Sequence, residues 1–122
     1  MIQWKRIDHV QLPIPPGTED GARAFYVEIL GFEECEKPAS LRKNGGVWLQ
    51  NGAIELHLGV EASREPQSRQ HVALEVADLD ATRAVLEAHV VPINEETPIP
   101  GRERVSVRDP FGNRLELLER TD

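Results

Sequence analysis

Alternation of apolar and polar residues marks strands, and apolar residues spaced three and four apart mark helix faces; both patterns occur twice along this chain. Ile7-Asp8-His9-Val10-Gln11-Leu12 alternates, and Pro13-Ile14-Pro15-Pro16-Gly17 predicts its end. Thr18 is placed to cap a helix whose buried face is Ala22, Phe25, Tyr26 and Ile29, with Gly31 as its left-handed stop. A short strand over residues 32–36 and a polar loop through Asn44 lead to a hairpin of residues 47–50 and 53–59, joined by the turn pair Asn51-Gly52. A polar linker containing Pro66 spans residues 62–69.

The second half repeats this order. Residues 70–77 alternate, and Asp78 can cap a helix with Leu79, Thr82, Val85, Leu86 and His89 at helical spacing. Residues 90–94 read as a strand and 95–103 as a loop; 105–108 and 114–119 form a hairpin across Asp109-Pro110-Phe111-Gly112-Asn113. Each half is strand, helix, three strands. Specific residues repeat too, since His9-Val10 matches His71-Val72 and Ile54-Glu55-Leu56 matches Leu115-Glu116-Leu117, with the histidine 46 residues before the glutamate in one half and 45 in the other.

Residues two apart on a strand share a face. His9 and Gln11 therefore oppose Val10 and Leu12, Glu55 and His57 oppose Ile54, Leu56 and Leu58, His71 opposes Val72, and Glu116 opposes Leu115 and Leu117. The apolar sides suit burial under two amphipathic helices. The polar sides put two imidazoles and two carboxylates on four strands, a nitrogen and oxygen donor set suited to nickel, zinc, cobalt, manganese or iron(II). A lone strand histidine or glutamate ordinarily just faces water, and it is the paired placement in a repeat that singles these four out. His57 shares a face with Glu55 and can replace it as a ligand or support it by hydrogen bonding. His89 suits a helix end, Cys35 a small apolar position, and Arg102, Arg104 and Arg108 a solvated face; Gln11 and Arg104 are the candidate substrate contacts.

Composition limits the partners. A chain of 122 residues, 39% hydrophobic and 29% charged, suits one domain over residues 1–122 made of two modules, about 1–60 and 70–122. No apolar run exceeds four residues and the start lacks a signal-peptide pattern, so a cytoplasmic protein without membrane contact is expected. The single cysteine excludes an intrachain disulfide and a CxxC pair, and a net charge of −7 disfavours nucleic acid. A small-molecule substrate is expected, and the open sheet edges of each module predict a homodimer.

The runs Ile7-Asp8-His9-Val10-Gln11-Leu12, Ala24-Phe25-Tyr26, Leu30-Gly31-Phe32, Ile54-Glu55-Leu56-His57-Leu58, His71-Val72-Ala73-Leu74-Glu75-Val76 and Asp109-Pro110-Phe111-Gly112-Asn113-Arg114-Leu115-Glu116 give the chain its likeness to a family. It resembles the vicinal oxygen chelate superfamily of glyoxalases, bleomycin-resistance proteins, extradiol dioxygenases and fosfomycin-resistance enzymes. The resemblance implies an α+β fold of two βαβββ modules forming a curved mixed-sheet cup. It also implies a divalent metal on His9, Glu55, His71 and Glu116, with Glu55 or Glu116 as the catalytic proton carrier, as in glyoxalase I. Fosfomycin-resistance enzymes and extradiol dioxygenases use two histidines and one glutamate, which His9, His71 and Glu116 supply. The expected activity is that of a metal-dependent lyase or isomerase of the glyoxalase type, with dioxygenase or thiol-transferase chemistry as variants. A metal-free drug- or ligand-binding resistance protein is the other reading, and the intact quartet with only 5% aromatic residues favours the metalloprotein.

Overall fold

The computed structural model describes residues 1–62 and 68–122, so most of the predicted linker lies outside the described residues. The chain divides into two compact units, Met1–Arg64 and Glu65–Asp122, each with one four-stranded mixed sheet. In the first, β1 (Val10–Ile14) is followed by α1 (Glu19–Arg23), which runs on into a π-helical segment, Ala24–Ile29. Then come β2 (Glu33–Cys35), a 3₁₀ segment (Ala39–Asn44), β3 (Val47–Asn51) and β4 (Ile54–Val60). The second unit has β5 (His71–Glu75), α2 (Leu79–Ala88), β6 (Asn94–Glu95), β7 (Arg102–Arg108) and β8 (Arg114–Arg120). Strand orders β1-β4-β3-β2 and β5-β8-β7-β6 are the same topology, each with one parallel pair at an edge, β1 with β4 and β5 with β8. The repeated strand, helix, three-strand order is realised in both halves.

The apolar strand positions are buried with helical residues, and His57 and Glu116 at the alternate positions of β4 and β8 are buried as well. In the first unit Leu49, Leu56, Leu58 and Ile14 of the sheet are buried with Ala22, Phe25 and Tyr26 of the helical segment. In the second, Val105, Val107, Leu115 and Leu117 are buried with Leu79 and Leu86 of α2. Truncating a fully buried leucine here to alanine removes about 2–5 kcal/mol.

Several boundaries differ from the sequence expectation. The first strand begins at Val10 and continues through Pro13 and Ile14 instead of stopping before them. As an edge strand with one neighbour, β1 tolerates a proline that a central strand would not. Thr18 occupies the cap position but does not cap, because its hydroxyl donates back to the Pro15 carbonyl at 2.6 Å. Asp78 does cap, accepting from the Ala81 N–H at 2.9 Å. The first hairpin turn is shifted by one residue: Asn51 pairs with Ile54, leaving Gly52 and Ala53 as the loop, with Gly52 at φ 57° as that turn needs. The strand expected over 90–94 is reduced to Asn94–Glu95, following Val90 at φ 57°, while β7 starts earlier than expected, at Arg102. Among the described residues no helix is long and apolar enough to cross a membrane.

Candidate functional site

In the first unit the pleat of β4 puts Glu55 and His57 on one face, and the parallel register of β1 sets Gln11 opposite His57. His9, just ahead of β1, lies with its ring on that of His57, centroids 4.0 Å apart and planes 16° from parallel. His57 Nε2 and Glu55 Oε2 are 3.0 Å apart. One ligand atom from each of His9, Glu55 and His57 falls within 4.8 Å of the others, a grouping able to hold a metal ion. His9 Nδ1 lies 2.9 Å from Asp8 Oδ2, and in the neutral imidazole this contact puts the proton on Nδ1 and leaves Nε2 with the lone pair. That hydrogen bond, more than the charge of Arg6, holds the Asp8 carboxyl below the usual carboxylate range.

Trp48 pairs with His57 across β3 and β4 and stacks on it with centroids 3.9 Å apart and planes 7° from parallel. Two rings cannot share one face at these distances, so His57 is enclosed between His9 and Trp48 and is buried. Gln11 makes no hydrogen bond to this cluster among the described residues. Its side chain lies over Gly59, where an added Cβ would come within 2.5 Å of Gln11 Nε2.

The second unit holds the other two members of the quartet. His71 heads β5, and its Nε2 is 3.4 Å from Oε1 of the buried Glu116 on β8. The same oxygen accepts from Arg104 Nη1 at 3.0 Å, and Arg104 is pinned by the Thr97 carbonyl through Nε at 3.2 Å and Nη2 at 2.8 Å. His71 Nδ1 has two neighbours that demand opposite protonation, the Arg69 carbonyl at 3.1 Å and Arg114 Nη1 at 3.3 Å. With the proton on Nδ1 toward Arg69, Nε2 is bare and fit for a metal; with Nδ1 accepting from Arg114, Nε2–H points to Glu116. Arg114 also bonds Glu96, whose carboxyl is held below the usual range by a hydrogen bond from Ser106 first and Arg114 second.

The expectation of a solvated arginine face is corrected. Arg104 is committed to Glu116 and Thr97, and Arg108 Nη1 donates to the Ser68 and Gly112 carbonyls at 2.9 and 2.8 Å. Arg102 is half-buried, and its Nε has no partner among the described residues. The turn before β8 is turn chemistry as expected: Asp109 Oδ1 accepts from the N–H groups of Phe111 and Asn113 at 2.9 and 2.8 Å, which sets Arg114 and Glu116 in register. His89 ends α2 with Nδ1 2.9 Å from the Val85 carbonyl. Cys35 is half-buried, and desolvation followed by the Glu55, Glu33 and Glu34 charges pushes its thiol up, away from nucleophilic use.

Thus one unit assembles His9, Glu55 and His57, and the other assembles His71, Glu116 and Arg104. The sequence reading missed Asp8 and Trp48. Asp8 was visible only as the neighbour of His9. Trp48 could have been found by counting back from the Asn51 turn, which sets it opposite His57.

Residues 6–117 match the Glyoxalase/Bleomycin resistance protein/Dioxygenase superfamily. The chain is 40% identical to a glyoxalase family protein of known structure from Bacillus anthracis, with a TM-score of 0.94 and 99% of each chain covered. A glyoxalase family protein from Enterococcus faecalis is 25% identical, with a TM-score of 0.74 over 95% of this chain and 98% of that one. The fosfomycin resistance protein FosX from Listeria monocytogenes shares the fold at 15% identity, with a TM-score of 0.77 over 98% of this chain and 96% of that one. No curated protein matches. With nearly its whole length matched, the chain belongs to the Glyoxalase/Bleomycin resistance protein/Dioxygenase superfamily.

Proposed function

We propose that this protein is a metal-dependent enzyme of the glyoxalase type, acting on a small molecule with neighbouring oxygens as a cytoplasmic homodimer. The proposed metal ligands are His9 and Glu55 of the first unit and His71 and Glu116 of the second, with His57 supporting Glu55. The observation that carries this reading is the His9–Glu55–His57 cluster, in which the Asp8 bond frees His9 Nε2 beside a carboxylate. His71 and Glu116 supply a second nitrogen and oxygen pair, so the donor set fits a first-row divalent ion. Ile2, Trp4 and Ile7 are exposed ahead of the edge strand β1, which favours burial against a second copy.

Bound there, the ion would supply Lewis-acid stabilisation for charge developing on two neighbouring substrate oxygens. Glu55 takes a proton from one substrate carbon and returns it to the next. His57, 3.0 Å from Glu55 Oε2, orients that carboxylate. Enclosed by two rings, His57 cannot swing away, so Glu55 is presented in one geometry.

The experiment is turnover of methylglyoxal–thiol hemithioacetal with nickel or zinc restored, comparing the parent with Glu55→Gln. The variant should lose about 10²–10⁴-fold in kcat while remaining folded. No turnover by the parent with any metal or thiol, together with tight binding of a planar antibiotic by metal-free protein, would replace this reading with the drug-binding one.

A further inference from the structure

Beside β2 the first unit carries a cleft of about 750 Å³, within the range of small-molecule sites. Cys35, Lys37, Arg42, Trp48 and the Gly45-Gly46 backbone line it. Trp48 is the same residue that stacks on His57, so the cleft and the His9–Glu55–His57 cluster share a side chain. The backbone here is built to stay in place. Gly45 and Gly46 have φ of 72° and 85°, and a Cβ on Gly46 would lie 2.2 Å from the Leu58 carbonyl oxygen. Lys37 Nζ donates to the Gly45 and Gly46 carbonyls, and the Gly46 N–H donates to Glu19 Oε2 at 2.9 Å.

The charges divide into committed and uncommitted groups. Arg23 and Glu34 on the wall satisfy each other through two hydrogen bonds of 2.8 and 3.1 Å, and Glu19 is taken by Gly46. Lys37 and Arg42 form no ion pair among the described residues. Lys37 retains one N–H, and Arg42, bonded only through Nε to the Lys37 carbonyl, retains both Nη groups. Glu36, exposed, is the remaining carboxylate. Three acidic and three basic side chains line the cleft, so it has no excess charge to attract a polyanion. A single carboxylate matches the free donors, and the indole offers a wall for a carbon body.

We propose that this cleft binds a small organic monocarboxylate, with its carboxylate on Arg42 and Lys37 and its carbon body against Trp48. Resting on the function proposed above, this assigns a substrate whose neighbouring oxygens meet the first unit's His9–Glu55–His57 cluster and whose carboxylate extends into the cleft.

Amide chemical-shift mapping on full-length, chelator-treated protein tests it, with phenylacetate, its uncharged isostere phenylacetamide and inorganic phosphate as probes. Phenylacetate should shift the Lys37, Arg42, Gly45 and Gly46 amides saturably at millimolar concentration. Phenylacetamide and phosphate should bind about tenfold more weakly or not at all, the loss of one charge-assisted contact. Arg42→Gln should erase the preference for phenylacetate over the amide. No saturable shift at these amides, equal binding of acid and amide, or an unchanged preference in Arg42→Gln would each overturn the proposal. A parallel nickel titration separates the two readings: nickel binding without phenylacetate binding defeats this inference alone, and the reverse defeats the metal-site reading and leaves the cleft standing.

Discussion

Trp48 and His57, paired across β3 and β4, stack with ring centroids 3.9 Å apart and planes 7° from parallel. A ring so close to a candidate ligand cluster serves as a reporter. In a Trp4→Phe chain Trp48 is the sole tryptophan, and nickel binding beside His57 should quench its emission in proportion to occupancy. Nickel uptake measured by calorimetry with unchanged Trp48 emission would place the ion elsewhere.

Arg104 and Glu116 form a pair in which both side chains are largely withdrawn from water, at 15% and 7% exposure. Among the described residues, Arg104→Met leaves the buried Glu116 carboxylate with His71 alone, at 3.4 Å. Urea denaturation should show a loss of about 3–5 kcal/mol, the range for removing one partner of a buried pair. A loss below about 0.5 kcal/mol, as for an exposed ion pair, would contradict the pairing.

Acid sensitivity follows from the carboxyls held below their usual range. The Ser106 hydrogen bond, then Arg114, depresses Glu96, and the Gly46 N–H depresses Glu19. Groups whose folded value is lowered bind protons more readily when unfolded. Their stabilisation is complete above the ordinary glutamate value of about 4.3 and is lost as pH falls through the lower folded value. Urea midpoints followed from about pH 7 to about pH 3 should fall, and Glu96→Gln should flatten that fall. An acid limb of unchanged steepness in Glu96→Gln would contradict the assignment.

Much of this arrangement could be read from local pattern. Period-two alternation separates His9, Glu55 and Glu116 from the apolar faces, and the matched His-Val and Glu-Leu pairs expose the repeat before any coordinate is known. What could not be read depends on register and distance. Pro13 reads as a strand breaker until β1 proves to be an edge, and Thr18 reads as a cap until its hydroxyl is found on Pro15. The arginines of β7 look solvated because Thr97 and Glu116, which take up Arg104, lie 7 and 12 residues away in sequence.

Gly46 gives a backbone test. With φ at 85° and a would-be Cβ 2.2 Å from the Leu58 oxygen, Gly46→Ala should destabilise the fold by more than about 1 kcal/mol. Gly52→Ala, with no atom within 4 Å of the added Cβ, meets only the φ penalty and should be milder in the same thermal melts. Equal melting shifts for the two would contradict the close approach at Gly46.

Metal ligation by His9 and Glu55, with His71 and Glu116, is the proposal on which the assigned activity depends. Its most direct measurement is a calorimetric nickel titration of chelator-treated parent, His9→Ala and His71→Ala, with circular dichroism confirming that each is folded. The parent should bind nickel saturably, and affinity should be weakened by more than about 100-fold in either variant, since each lacks one proposed ligand. Folded variants that both bind nickel as tightly as the parent would contradict it.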